Sequence, residues 1–286
     1  MGPQVAACGS PATAYRPPVS LRARVAAGKA PASRAALLII FECPAFVLNR
    51  PLRPDRRYAR RAARIARWDR PISGPLGRAG AWANMLLVDH GLLRLAYPNR
   101  AQVSAKLWRS SQPSPGQIRA FAAGGGRTVV NLRAGREYGS WPLQREACER
   151  HGLRLVEFVL RSREAPARDA VLSAKRLFDA LDYPVLVHCK SGADRAGLFC
   201  ALFLLIHEGA SVAEARRQLS LRYGHFRFSK TGILDAFLDA YRREGEAKGV
   251  AFLDWADRIY DPDKVTRSFR PRFWSTLIGD RLIRRE

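Results

Sequence analysis

The 286-residue chain predicts an α/β fold. A central, mainly parallel sheet is flanked by helices and preceded by a helical, partly disordered N-terminal extension. Three observations carry this expectation. Short apolar runs without polar alternation recur at 128–132, 153–159 and 185–187, as strands buried on both faces require. Segments with apolar residues at helical spacing separate them. Turn signals sit at the joints, among them Gly124-Gly125-Gly126 and Gly152.

Residues 1–34 are rich in Ala, Pro, Arg and Ser and show no periodicity, which predicts disorder. The apolar stretch 35–48 predicts a short buried helix or a peripheral hook. It contains Glu42 and Pro44 and is not read as a secretory signal. It also falls short of the roughly 20 apolar residues a membrane span needs. Pro51 and Pro54 break the chain before a basic helix over Asp55–Arg67, with Asp55 as its N-cap. Arg53, Arg56, Arg57, Arg60, Arg61 and Arg64 share one face of it. That face either docks on anionic lipid or nucleic acid or is simply solvated, and the lack of a strong apolar face favours the solvated reading. Residues 71–80 read as a linker, and Trp82–Tyr97 as a second helix interrupted at Asp89-His90-Gly91, where the acid and the histidine read as a local hydrogen-bonding pair. These boundaries divide the N-terminal part into a basic extension, 1–50, and helices, 51–101.

Alternation of strand and helix begins near Gln102. Val103–Trp108 reads as an edge strand, and Ser114-Pro115 opens a helix to Ala123, with proline in its first turn. A strand at 128–132, a helix at 142–151, a strand at 153–159 and a polar loop at 161–168 follow. A helix at 169–181 leads to the strand 185–187 and an apolar helix over 198–207. Helices at 212–221 and 233–241 complete a domain spanning 102–245. A helix at 250–260 and a basic tail at 266–285 make up the C-terminal segment 246–286.

The formal net charge is +24, and +13 of it falls in residues 1–100. An excess of this size favours anionic partners: phosphorylated ligands, acidic membrane surfaces or nucleic acid. Five cysteines (Cys8, Cys43, Cys148, Cys189, Cys200) are odd in number and lack metal-ligand spacing, so the sequence implies a reducing cytoplasm and no metal.

The chemistry concentrates in Pro184–Gly197. A β run, Val185–Val187, passes through His188 and Cys189, crosses five residues to Arg195 and enters the apolar helix. Loop amides and first-turn N–H groups together form an anion cradle. A cysteine at its mouth is expected to ionise readily, and an arginine six residues on can return a bidentate fork to the same phosphate. This is equipment for attack on a phosphate ester through a phospho-cysteine intermediate. A buried, inert cysteine would leave Arg195 and the turn at Gly192 without a purpose.

The spacing His188-Cys189-(five residues)-Arg195 resembles the signature of the cysteine-dependent protein tyrosine and dual-specificity phosphatases. The order of Leu107–Pro113, Thr128–Arg133 and His188–Arg195 is similar to that of bacterial dual-specificity-like phosphatases and of the related inositol-pyrophosphate phosphatases, over roughly 102–245. The resemblance implies Cys189 as nucleophile and Arg195 as the transition-state clamp. It implies amides of Lys190, Ser191, Gly192 and Ala193 lining the phosphate loop, and His188 ordering it. No metal or organic cofactor is implied. The chain departs from the pattern at Ala196, where such enzymes usually carry Ser or Thr, which predicts slow release of phosphate from the enzyme. For the general acid, which relatives place on an upstream loop, Glu164 and Asp194 stand level and Asp169 behind them. Arg133, Arg136, Arg161, Arg163 and Lys230 are candidates for a basic substrate rim, with Lys190 adding charge at the loop.

The resemblance points to a phosphate-monoester hydrolase acting on protein phosphotyrosine or phosphoserine. An inositol phosphate or phosphoinositide phosphatase is the alternative, and a catalytically weak phosphate-binding protein another. Arg195 and the His-Cys pair argue against a sulfurtransferase with a loop cysteine. The implied partners are a phosphorylated protein or inositol phosphate and, through the basic N-terminal region, an anionic membrane surface. No specific nucleic acid is implied. The location expected is cytoplasmic, peripheral at the inner membrane surface.

Overall fold

A computed structural model of the protein describes residues 39–41, 56–133 and 135–270. The expectations for 1–34, for Asp55 as a helix cap and for the tail beyond 270 lie outside these residues. In chain order the strands are β1 (Ile39–Phe41), β2 (Ala101–Gln102), β3 (Leu107–Ser110), β4 (Thr128–Asn131), β5 (Arg154–Phe158) and β6 (Val185–His188). They form one sheet in the order β1-β5-β4-β6-β3-β2, parallel throughout except for the β2–β3 pair. The fold is α/β, with helices on both faces. Every residue of β4 and β6 is buried, as their unbroken apolar runs require of strands covered on two sides. Ser110 and Asn131 both stand opposite His188. The chain therefore leaves β3, β4 and β6 at one level of the sheet, at the carboxyl ends where open parallel sheets place their ligands.

On one face lie α6 (Arg168–Ala180), α7 (Asp194–His207), α9 (Ile233–Glu244), α10 (Phe252–Arg258) and α11 (Pro262–Ser268), which share a single apolar core. Helix α7 is buried on all sides from Ala196 to Leu205, which explains why its sequence is apolar all round rather than striped. Phe178 and Phe203 meet edge to face at 5.3 Å, a favoured aromatic geometry. The other face carries α4 (Pro115–Ala123) and α5 (Ser140–Arg150) over Val129, Leu155 and Leu186. A capping box between Ser114 and Gln117 starts α4.

Ahead of the sheet come α1 (Arg56–Trp68), α2 (Gly74–Ala83) and α3 (Gly91–Ala96), and a short α8 (Val212–Arg216) follows α7. Several expectations are corrected here. The apolar segment expected as a helix or hook holds a strand at 39–41, added parallel to β5. Residues 71–80 are not a linker, since most of them belong to α2. Their glycines and Pro75 read as a break, yet Pro75 lies in the first turn, where no hydrogen bond is lost. The helix expected over 82–97 is split by a π turn at Asn84–Val88 and by His90, whose φ is +57°. Of the edge strand expected over 103–108 only 107–108 belong to a strand, β3, which is interior; residues 103–106 are the turn that joins it to β2 at the edge. The helix expected to reach Leu221 ends at Arg216, which turns Gln218 toward the sheet.

Candidate active site

The loop between β6 and α7 is a left-handed turn at Gly192, where φ is +75°. A Cβ there would come within 2.6 Å of the Ser111 nitrogen, so only glycine fits. Five successive carbonyls of this loop are bonded by surrounding groups. The Cys189 oxygen meets His188 Nδ1 at 3.3 Å, and the Lys190 oxygen accepts from the Gln112 N–H at 3.1 Å. The Ser191 oxygen accepts from Asn99 Nδ2 at 3.0 Å. Those of Gly192 and Ala193 accept from Arg109 Nη2 at 2.6 and 3.1 Å. In a trans peptide the N–H points away from the carbonyl, so the amides of residues 190–194 face away from these partners, the Ala193 N–H donating to Ser191 Oγ at 3.4 Å. The Gly192 N–H donates to Cys189 Sγ at 3.2 Å. Cys189 itself is a buried, free thiol, and the N-terminus of α7 adds its partial positive charge.

Arg109 is the centre of this scaffold. It is completely buried, its other nitrogen donates to the backbone and side-chain oxygens of Gln218 at 2.7 and 2.8 Å, and its guanidinium stacks on Tyr223 at 3.7 Å. All its acceptors are neutral, so its charge is not cancelled and adds to the positive field beneath the loop. His188 is held by a chain of amides. Gln112 Nε2 donates to Gln144 Oε1 at 2.8 Å, and Gln144 Nε2 donates to His188 Nε2 at 2.7 Å. The ring must then carry its proton on Nδ1, facing the Cys189 carbonyl. Burial first, and the neighbouring arginines after it, depress His188 to about 3, so it is neutral and orders the loop as a fixed dipole.

A cavity of about 490 Å³ opens above the loop, and Arg61, Arg133, Glu137, Arg163, Glu164, Lys190 and Arg195 are among its walls. Among the described residues no ion pair or hydrogen bond engages the Arg195 guanidinium. Burial lowers the Lys190 ammonium, Asp89 opposes it, and Arg133, Arg94 and Arg195 lower it further. Arg133 lines the cavity, but its fork is bidentate on Asp89, at 2.7 and 2.8 Å. Burial alone would raise Asp89, yet this pairing, with Arg94 and Ser140, holds it at about 2. Asp89 is therefore a buried anchor for Arg133, not the partner of His90 that adjacency suggests.

Glu164 stands on the exposed rim, 3.2 Å from Arg161. The segment carrying it is fixed from behind, where Tyr260 Oη donates to the Pro166 carbonyl at 2.8 Å. Asp194, the other candidate acid, is turned toward a histidine. Its Oδ1 meets His225 Nδ1 at 2.7 Å, and His225 Nε2 meets Asp235 Oδ2 at 2.7 Å. Burial would lower His225, but the two carboxylates outweigh it and raise the ring to about 9. A protonated imidazole between two acids thus neutralises Asp194 and pins the start of α7. Asp169 and Lys230 are exposed and outside the cavity wall. Arg136 is excluded from the rim by its pairs with Asp69 and Glu157.

The segment that builds the site falls within the range matched by a known family. The family model described as a dual-specificity-type (DSP-PTPase) phosphatase fused to NAD+ kinase matches residues 87–233. The chain belongs to this family. It is a phosphatase of the cysteine-dependent dual-specificity superfamily. Among solved structures it is similar to TpbA of P. aeruginosa, at 22% identity over 56% of this chain and 91% of that one, with a TM-score of 0.43. Tk-PTP in its active form is 19% identical over 50% and 97%, with a TM-score of 0.40. Human DUSP28 is 19% identical over 51% and 96%, with a TM-score of 0.38. No curated protein matches the chain. Among the described residues no helix is long and apolar enough to cross a membrane, and no group of His, Cys, Asp and Glu could hold a metal ion.

Arg109, Asn99 and His225, which build this phosphatase site, escaped the sequence reading. Arg109 lay inside the motif Leu107–Pro113 without a role. Arg61 was read only as part of a basic helix face.

Proposed function

We propose that this phosphatase hydrolyses phosphate monoesters in two steps through a phospho-cysteine at Cys189. The observation that carries the reading is the ring of outward-bonded carbonyls around the thiol, which leaves the loop amides for the three equatorial phosphoryl oxygens. Such preorganised donors stabilise the charge of the transition state. The Cys189 thiolate attacks phosphorus, forming the S–P bond as the ester P–O bond breaks, and Glu164 protonates the departing oxygen. Water then attacks phosphorus, Glu164 takes its proton, the S–P bond breaks, and inorganic phosphate leaves with the thiolate restored. Arg195 spans the equatorial oxygens in both steps. A reducing cytoplasm suits the chemistry of such a free thiol.

Phosphotyrosine or phosphoserine in proteins is the first substrate reading. A second, an inositol phosphate, is favoured by the number of cations around the cavity. A panel of phosphopeptides and inositol phosphates, with Cys189→Ser as the blank, tests both. The expected result is release of phosphate that Cys189→Ser abolishes, with a phospho-enzyme trapped by acid quench in the wild type. Release that persists in Cys189→Ser, or no release from any ester, would overturn the reading.

A further inference from the structure

One wall of the cavity, α1, lies outside the residues the family shares. From Tyr58 onward this helix is exposed, with only Ile65 and Trp68 half-buried. A helix this short is marginal on its own, and polar ties hold it in place. At its C-terminal end Asp69 accepts from Trp141 Nε1 and from Arg136 Nη1, each at 2.9 Å. At the cavity, Arg61 and Arg64 converge on Glu137 at 2.6 and 3.0 Å. Arg61 and Glu137 both line the cavity.

Two arginines thus face one carboxylate at the mouth of a phosphate site. Arg133 shares Asp89 with Arg94, and Arg161 pairs with Glu164. Among the described residues, Arg195 and Lys190 have no carboxylate of their own, and Arg61 and Arg64 share one. A single phosphoryl group in the loop engages Arg195 and the amides and leaves α1 unused. The volume, about 490 Å³, falls within the range of pockets that enclose whole small molecules. A phosphate dianion carries more charge than a carboxylate and has oxygens enough to take the forks of two arginines at once.

We infer that α1 supplies a second anion subsite, in which Arg61 and Arg64 take a second phosphate group in place of Glu137, so that the preferred substrates are small molecules carrying at least two phosphates. This rests on the phosphatase reading of the loop. The test uses Cys189→Ser in the full chain, which removes turnover, and compares calorimetric binding of fructose 6-phosphate and fructose 1,6-bisphosphate at about 0.15 M ionic strength. The bisphosphate is expected to bind at least about tenfold more tightly. Adding Arg61→Ala and Arg64→Ala should remove most of that preference, while fructose 6-phosphate weakens less than about threefold. Arg60→Ala, an exposed arginine of the same helix outside the cavity wall, should leave the preference intact and so control for net charge. Equal binding of the two sugars, a preference that survives the double substitution, or its equal loss in Arg60→Ala would overturn the subsite. Failure of the catalytic reading looks different: a folded Cys189→Ser protein that binds neither sugar nor orthophosphate, and a wild type inactive on 4-nitrophenyl phosphate.

Discussion

In the loop around the Cys189 thiol, the floor of the site, the carbonyls of residues 189–193 are tied by buried groups drawn from Gln112, Asn99, Arg109 and His188. On its α1 side, a helix is tied by two arginines, about half exposed, to a single carboxylate. Buried polar networks are rigid because each lost bond leaves an unpaired group away from water. Exposed ion pairs contribute about 0–1 kcal/mol and change partners readily. The floor is thus suited to holding a transition state, and the rim to selecting what enters.

The largest expected effect comes from breaking the floor. Arg109→Met keeps the bulk but strips four hydrogen bonds from Gly192, Ala193 and Gln218. Each buried acceptor left unpaired costs about 1–3 kcal/mol. With the carbonyls released, the amides lose their aim, and kcat/KM on 4-nitrophenyl phosphate should fall at least about 10³-fold. Urea unfolding and steady-state kinetics read the two effects. Activity within tenfold of wild type would mean the loop holds its own shape.

A smaller loss is expected on the rim. Glu164→Gln should lower kcat on an alkyl phosphate by about 10²-fold, less on an aryl phosphate with a good leaving group. It should also erase the basic limb of the pH–rate profile. Asp194→Asn, by contrast, should keep that limb and lower stability, because its carboxylate serves His225. If Asp194→Asn erases the limb and Glu164→Gln does not, the assignment is reversed.

What could be read from the sequence follows the same division by range. Cys189 and Arg195 are six residues apart on one turn, so their spacing alone shows that they can share a phosphate. The parallel strands were legible from unbroken apolar runs. Arg109 reaches Gly192 across 83 residues and Asn99 reaches Ser191 across 92, and no local pattern encodes such closures. Asp194 misled because adjacency to Arg195 suggested the cavity, whereas α7 turns it toward a histidine 31 residues on. Helix α2 misled because Gly74, Gly77 and Gly80 look like a linker in sequence, whereas the helix is anchored at its buried Ala81, on whose carbonyl Gly139 packs so closely that a Cβ would meet it at 2.3 Å.

His225 gives an intermediate test of the floor with a pH signature. Its ring, at about 9 when folded against about 6.5 when unfolded, binds its proton more tightly in the native state. Its stabilisation is then complete below about pH 6.5 and is lost as pH rises toward 9. His225→Gln should cost about 2–3 kcal/mol at pH 6, flatten the decline of stability between pH 6.5 and 9, and reduce kcat about tenfold as α7 loosens. Thermal melts across that window check it. An unchanged pH slope would show that the decline belongs to other groups.

The smallest effect expected is at Glu137, and it distinguishes the two regions most directly. Burial would raise this carboxyl, but the hydrogen bonds and charges of Arg61 and Arg64 lower it. Because the pair is exposed on the arginine side, Glu137→Gln should change stability by less than about 1 kcal/mol. It leaves both arginines without an anionic partner at the cavity mouth. If the carboxylate only occupies a place meant for a ligand, KM for a bisphosphorylated substrate should then fall about threefold while kcat stays level, since the floor is untouched. If instead the carboxylate is what holds α1 in position, KM rises and the melt broadens, and the rim belongs with the floor as a rigid part of the site.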